Sequence, residues 1–433
     1  MDKRVLVVGT TADYVEIIDR RFPQRAIFIT DCQERAKASE PPPSADAELL
    51  CDLGEPTRVL AGLWKHLDRW CHEPSGVACF DCESMLLAAF IADSFGLSYP
   101  SAEAISACRS KYVCKRIWRQ AGLSCPDAEL VHKTSDAVSF LHRIDGPAVL
   151  KPLTGSGSEL IFSCSTEDDC AVAFDTLRSR LANHSDPRMY APHLLDGRMI
   201  DPRRVFVIEE FVRGDEYSCD FVIMEDRVEI LRIAKKILDA KQAFGTTLAY
   251  VVPAELPARL NENDFCGQLR SAAGALGLDR ALCMLDFVVR DGEAFMIELS
   301  PRPGGDCLPP LLLKSLGIDI LGCTLDFAER RNLSLARPRR DKPLVGVRLF
   351  AAQSGEIDQM DSFALQEDHR VMECHLKRGP GHKVVLPPED YESRLLGHAI
   401  FEPSGSDNIE NECIEVASKL EIEMKTQACA RVI

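Results

Sequence analysis

A lysine at the end of an apolar strand, followed at once by glycines and serines, is the first place where this sequence offers chemistry. Lys151 closes the run Pro147-Ala148-Val149-Leu150 and leads through Pro152 and Leu153 into Thr154-Gly155-Ser156-Gly157-Ser158. Glycines let backbone N–H groups turn towards an anion, and serine hydroxyls add donors. A lysine just ahead of such a loop can hold phosphate oxygens. The same residues also fit a glycine-rich hairpin turn with a surface lysine. The spacing is not Gly-x4-Gly-Lys-Ser/Thr, which disfavours a P-loop.

Asp286, Glu298 and Ser300 form the second group. Glu298 and Ser300 are two apart on a strand and share a face, while Ile297 and Leu299 point to the core. Whether Asp286 joins them depends on the turn in Arg290-Asp291-Gly292-Glu293. A two-residue Asp291-Gly292 turn would set Asp286 and Glu298 on opposite faces. A three-residue turn with Gly292 left-handed would set them on the same face. Two carboxylates on one face, within reach of phosphates, suit Mg²⁺. Taken alone, they equally describe solvated carboxylates on an exposed sheet.

Arg302 follows in Pro301-Arg302-Pro303-Gly304-Gly305-Asp306, a rigid turn expected to aim the guanidinium back over the carboxylate face. A planar guanidinium suits a carboxylate or phosphate, and the bland alternative is a surface ion pair. Upstream, Val207-Ile208-Glu209-Glu210-Phe211-Val212 leads to Gly214-Asp215-Glu216. The backbone of such a strand can meet a purine edge, and a nearby carboxylate can accept ribose hydroxyls.

These groups need a scaffold. Short apolar runs at Val5–Val8, Ala26–Ile29 and Gly76–Phe80, with a helix Glu83–Phe95 capped by Gly96, predict a parallel sheet covered on both faces. A basic helix is expected over Lys111–Gln120. Strands are expected over Val205–Phe211, Glu216–Ile223, Arg227–Ala234, Leu282–Val289 and Ala294–Leu299. Residues Asn183–Arg204 read as a loop insertion. The Arg337–Arg340 cluster around Pro338 marks a boundary and reads as a solvated linker. Strands at Val345–Ala351, His375–Lys377 and Lys383–Leu386, and a final amphipathic helix over Asn408–Lys425, complete the pattern.

With 433 residues, 51 basic and 67 acidic side chains and a net charge of −16, the chain has room for about three domains and a substantial core. The acidic balance argues against nucleic acid as the main partner, but not against a small anion in a locally basic pocket. The longest apolar stretch, near Met85–Ala92, is cut by Asp93 and is far too short to span a membrane. The N-terminal apolar run is too short for a signal-peptide core. The 18 cysteines are scattered, so reduced thiols and a cytoplasmic location are expected. Cys79-Phe80-Asp81-Cys82 lacks further ligands at zinc-site spacing and reads as a pair of strand-end thiols. Glu83 beside it could face a substrate or cap a helix.

In order, Lys111, Lys151 with its Gly/Ser loop, Glu209 to Glu216, Asp286, Glu298-x-Ser300 and Arg302 resemble the ATP-grasp superfamily of carboxylate–amine ligases, over about residues 109–330. Val345-Gly346-Val347-Arg348-Leu349-Phe350 with Ser354-Gly355-Glu356-Ile357, and the run Lys241–Leu256, look like the L-amino-acid ligase branch. The resemblance implies an α/β and α+β multidomain chain. Its parts would be a pre-ATP-grasp α/β domain (1–108), a small subdomain with the phosphate loop (109–206), a large subdomain with the metal site (207–336) and a C-terminal α+β subdomain (337–433).

The resemblance also implies roles at matching positions. Lys111 and Lys151 would hold ATP phosphates, and the loop with Ser156, Gly157 and Ser158 would close over them. Glu209, Phe211 and Val212 would line the adenine pocket, the last two partly through backbone groups, and Glu216 would accept the ribose hydroxyls. Asp286 and Glu298, with Ser300, would carry two Mg²⁺ ions, Mn²⁺ being an acceptable substitute. Arg302 and Lys151 would act on the transferring phosphoryl group. Ser300 stands where many members have Asn, and Glu159-Leu160 stands where the loop usually continues Gly-Val. The expected substrates are a carboxylate and an amine, at least one an amino acid, joined through an acyl-phosphate. A homodimer is a further expectation. A carboxylase of the same superfamily and a non-catalytic nucleotide-binding module are the competing readings.

Overall fold

The computed structural model describes residues 2–144, 146–184, 186–195, 197–225, 227–257, 259–333, 342–405 and 408–425. The Arg337–Arg340 cluster and Pro338 lie outside them.

Apolar runs without polar alternation need cover on both faces, and the first four strands receive it. They form a parallel sheet in the order Glu48–Cys51, Ala26–Asp31, Asp2–Val8, His72–Ala78. Val5 to Val8 are fully buried between core clusters on the two faces. The helix expected from Glu83 begins at Met85 and ends on left-handed Gly96.

A second, four-stranded antiparallel sheet runs Ala128–Val131, Phe206–Glu210, Ala148–Pro152, Phe162–Cys164. Helix Lys111–Gln120, capped by the Ser110 hydroxyl on the Val113 amide, packs beside it. The third sheet has eight antiparallel strands in the order Glu293–Ser300, Arg280–Arg290, Asp215–Met224, Arg227–Leu238, Thr247–Val252, Leu344–Phe350, Leu395–Phe401, Val371–Leu376. It draws strands from both sides of residue 337, so the carboxylate-bearing hairpin and the C-terminal segment share one continuous ladder.

Two expectations are corrected. The segment Asn183–Arg204 is not all loop but contains a hairpin, His193–Leu195 with Arg198–Ile200. The terminal helix stops at Ser418 rather than reaching Lys425, and Glu421–Met424 pairs instead with Gly355–Asp361. Glu421-Ile422-Glu423-Met424 alternates with period two, which suits a strand with one covered face. Among the described residues no helix is long and apolar enough to cross a membrane, and no disulfide links the cysteines.

Candidate active site

The two carboxylates lie side by side, for a different reason from the one expected. The Arg290↔Glu293 pair closes a two-residue turn, with Asp291 and Gly292 both at positive φ. That turn alone sets Asp286 and Glu298 on opposite faces. The ladder then slips between Asp286 and Phe287: Phe287 pairs Met296, whereas Asp286 pairs Glu298. Ile297 is the extra residue of a β-bulge, and the bulge restores the shared face. The Ile297 carbonyl accepts a hydrogen bond from Lys115 Nζ at 2.8 Å. Lys115 thus stabilises the irregularity on which the carboxylate pair depends.

The same sheet face continues across the neighbouring strands. Ser218 lies opposite both Asp286 and Ala234, so Glu216 and Lys236, two residues on from each strand's paired position, fall on this face. Lys236 Nζ stands 3.4 Å from both Asp286 Oδ2 and Glu216 Oε2. Burial works to lower the Lys236 pKa, but these two carboxylates outweigh it and raise it, keeping the ammonium charged. Ser300, buried and two residues beyond Glu298, belongs to the same row.

Facing this row is a cluster of ammonium groups. Lys111 Nζ donates to the Gly155 carbonyl at 3.1 Å and lies 3.8 Å from Glu298 Oε2. Lys151 Nζ lies 2.7 Å from Glu209 Oε2, and Lys115 Nζ lies 2.8 Å from Glu209 Oε1. One buried carboxylate therefore serves two buried lysines. Burial alone would raise the Glu209 pKa, but Lys115 and Lys151 outweigh it and hold the carboxyl below its usual range. For Lys151 burial dominates: helped by Lys115 and Lys111, and against the pull of Glu209, it pushes the ammonium down to about 8. The cluster is short of negative charge and prepared for an anion.

The loop after Lys151 bends through Gly155, Gly157 and Ser158, all at positive φ. Ser156 and Ser158 are half-buried and Gly157 is exposed. Glu159, the unusual residue of this loop, is held by His184 Nε2 at 3.4 Å and Tyr190 Oη at 3.5 Å. At the other end of the cleft, Phe211 spends its amide on the Pro147 carbonyl, 3.1 Å away. Its ring meets that of Phe244 edge-on, with centroids 5.7 Å apart. Val212 is buried against Val288 and Phe295.

Arg302 makes two contacts that the sequence did not foreshadow. Its Nε donates to the Cys82 thiol at 3.1 Å and its Nη1 to the Pro303 carbonyl at 2.8 Å. The turn brings it to the C-terminal edge of the parallel sheet, where open α/β folds place ligands. The turn is pinned by Asp220, which accepts the Gly304 amide at 3.1 Å and forms a two-pronged pair with buried Arg232. Any side chain at Gly304 would meet Arg232 Nη2 at 2.6 Å. Burial and the nearby Asp81 push Glu83 up to about 7, with Arg302 opposing.

Lys115, Lys236 and the Cys82–Arg302 contact escaped the sequence reading. Lys115 was within reach of it, four residues after Lys111 and therefore on the same helix face. Lys236 carried no such signal, because its role depends on strand order.

Asp286 and Glu298, with Ser300 as a third oxygen, fit Mg²⁺: hard oxygen donors on adjacent strands, with ammonium groups at 3.4–3.8 Å as the present counter-charges. Residues 144–310 match the family model for the ATP-grasp domain.

The chain carries an ATP-grasp domain. Similar proteins include the D-alanine–D-alanine ligase of Delftia acidovorans, 24% identical over 258 residues covering 57% of this chain and 72% of that one. The same-named enzyme of Acidovorax ebreus is 24% identical, covering 52% of this chain and 64% of that one. Among solved structures, the L-amino acid ligase from Bacillus licheniformis superposes with a TM-score of 0.77 at 17% identity, covering 98% of this chain and 100% of that one. N5-carboxyaminoimidazole synthase from Aspergillus clavatus gives 0.68 at 13% identity, covering 96% and 99%. These two superpositions, over nearly the whole chain, show that the solved structures share its fold.

Proposed function

We propose that this ATP-grasp protein is an ADP-forming carboxylate–amine ligase that joins an amino acid to a second small molecule through an acyl-phosphate. The observation that carries the reading is the bulge at Ile297, which sets Asp286 and Glu298 together opposite the Lys111–Lys115–Lys151 cluster. A carboxylate does not acylate an amine usefully, because oxide is its leaving group. Phosphorylation replaces that leaving group with phosphate, and the charges brought together by the reaction must be neutralised. Lys111 and Lys151 take phosphate oxygens, and the Thr154–Ser158 loop covers them against water. Glu209 holds Lys115 and Lys151 in place, Phe211 and Val212 line the base end, and Glu216 accepts ribose hydroxyls. Arg302 orients the carboxyl substrate and stabilises its phosphorylated form. Asp286, Glu298 and Ser300 would hold Mg²⁺, two ions in the fullest reading, which supplies charge neutralisation at the phosphates when bound.

A screen of amino-acid pairs with MgATP, scoring phosphate release and separating ADP from AMP, tests the proposal. Pair-dependent ADP is expected. AMP would reject the acyl-phosphate route, and bicarbonate-dependent ADP without an amine would favour a carboxylase.

Nucleotide binding should also take up protons. Lys151 sits at about 8 in the free protein, against 10.5 for an ordinary lysine. Its cost to the fold is therefore present below pH 8 and fades as pH rises towards the ordinary value. A phosphate favours the ammonium, so ATP binding at pH 9 should draw protons from solution. Calorimetry in two buffers of different ionisation heat measures this, and zero uptake at that pH would remove Lys151 from the phosphate site.

A further inference from the structure

Arg394 lies far along the chain from the residues of the proposed site, yet it holds the loop whose Phe244 ring meets Phe211. Its side chain is buried, and among the described residues no carboxylate lies within 4 Å of it. Its Nη1 donates to Gln242 Oε1 and its Nη2 to Thr246 Oγ1, each at 2.8 Å. Among the described residues its buried Nε has no hydrogen-bond partner. Its guanidinium carbon lies 4.9 Å from the Phe350 ring centre and 5.9 Å from that of Tyr391. A buried guanidinium without an acid is costly, since neutral oxygens and ring faces compensate it only in part.

Gln242 and Thr246 flank Phe244, in the loop joining strands Arg227–Leu238 and Thr247–Val252. The two contacts therefore fix both sides of the residue between them. Phe244 is partly exposed, and its ring meets Phe211 at the base end of the cleft. One residue on, left-handed Gly245 rests on Ile161, a Cβ built there lying 3.7 Å from the isoleucine side chain. Arg348 adds a hydrogen bond of 3.0 Å from Nη1 to the Thr247 carbonyl. From the same C-terminal stretch, Tyr391 packs against the core cluster that contains Leu160, the residue ending the phosphate loop. The C-terminal segment thus contacts the 239–246 loop through Arg394 and packs near Leu160 through Tyr391.

We infer that Arg394 is a positioning residue for nucleotide binding, holding the 239–246 loop so that Phe244 and Phe211 together form the apolar wall against the base. The inference rests on the nucleotide site of the proposed function. Phe244 and Phe211 would meet the base, which ATP and ADP share, so both should lose affinity alike.

Fluorescence titration of the full chain with ATP and ADP analogues labelled on the ribose tests it. Arg394→Gln is expected to raise both dissociation constants about tenfold, from the loss of two charge-assisted hydrogen bonds. The KM for ATP should rise likewise and kcat should stay within twofold. Combining Arg394→Gln with Gln242→Ala should cost little more than Arg394→Gln alone. Phe244→Ala, at a partly exposed site that does not endanger folding, should raise both constants at least fivefold. Unchanged nucleotide affinity in Phe244→Ala would overturn the inference even if Arg394→Gln failed to fold. So would a loss for ATP with none for ADP. Failure of the unaltered chain to bind nucleotide would instead overturn the proposed function.

Discussion

Replacing Glu298 by glutamine is expected to lower pair-dependent ADP formation by roughly 10³-fold, the scale on which single charge-stabilising groups act at a transferring phosphoryl group. Glutamine keeps the shape and the hydrogen-bonding oxygen but removes the charge. Glu298 is partly exposed on the sheet face, so the fold should be unaffected. Nucleotide affinity measured without divalent ions should change little or improve slightly, because Lys111, 3.8 Å away, loses a competitor. A rate within tenfold of the unaltered protein would remove Glu298 from the reaction. Deleting Ile297 is the topological counterpart. Without the extra residue Glu298 follows Met296 directly and takes the place opposite Asp286 that the Arg290↔Glu293 turn dictates, so the carboxylate pair keeps one face while Lys115 loses the Ile297 carbonyl. ADP formation should therefore survive far better than in Glu298→Gln, with a stability loss that the glutamine variant does not share.

The parallel sheet was legible because Val5–Val8 and Ala26–Ile29 are unbroken apolar runs, and such runs have few other stable uses. The order of lysines, carboxylates and Gly/Ser loop was legible because those residue types are needed at element ends. The bulge was not. A turn of given length and a face preference for carboxylates pointed in opposite directions, and only the ladder shows that Ile297 reconciles them. The direction of Arg302 was hidden for a similar reason, since it depends on Asp220 and Arg232, a buried pair on strands distant in sequence. Glu421–Met424 merges with the preceding helical pattern because its four-residue alternation is too short to stand out beside a longer one.

Glu209 gives the sharpest separation between what resemblance implies and what the geometry shows, and its loss is expected to have the largest effect on stability. The resemblance places it in the adenine pocket, where its replacement would weaken ATP binding and leave the fold alone. In the structure its two oxygens lie 2.8 Å and 2.7 Å from the buried Lys115 and Lys151 ammonium groups. Removing one member of a buried ionic cluster leaves the others uncompensated, at a cost of about 3–5 kcal/mol. Glu209→Leu should therefore lower the denaturant midpoint markedly, and the deficit should shrink as pH rises towards 8, because without the pull of Glu209 the buried Lys151 ammonium loses its proton at lower pH than in the unaltered protein. Without Glu209, Lys115 keeps the Ile297 carbonyl but loses the carboxylate 2.8 Å away that fixes its ammonium, so the bulge and the carboxylate pair should loosen together. The paired variant Glu209→Leu with Lys151→Met tests this account. Removing one unpaired ammonium should restore part of the lost stability without restoring activity. If the double variant is no more stable than Glu209→Leu, the shared carboxylate is not what holds the two lysines in the core.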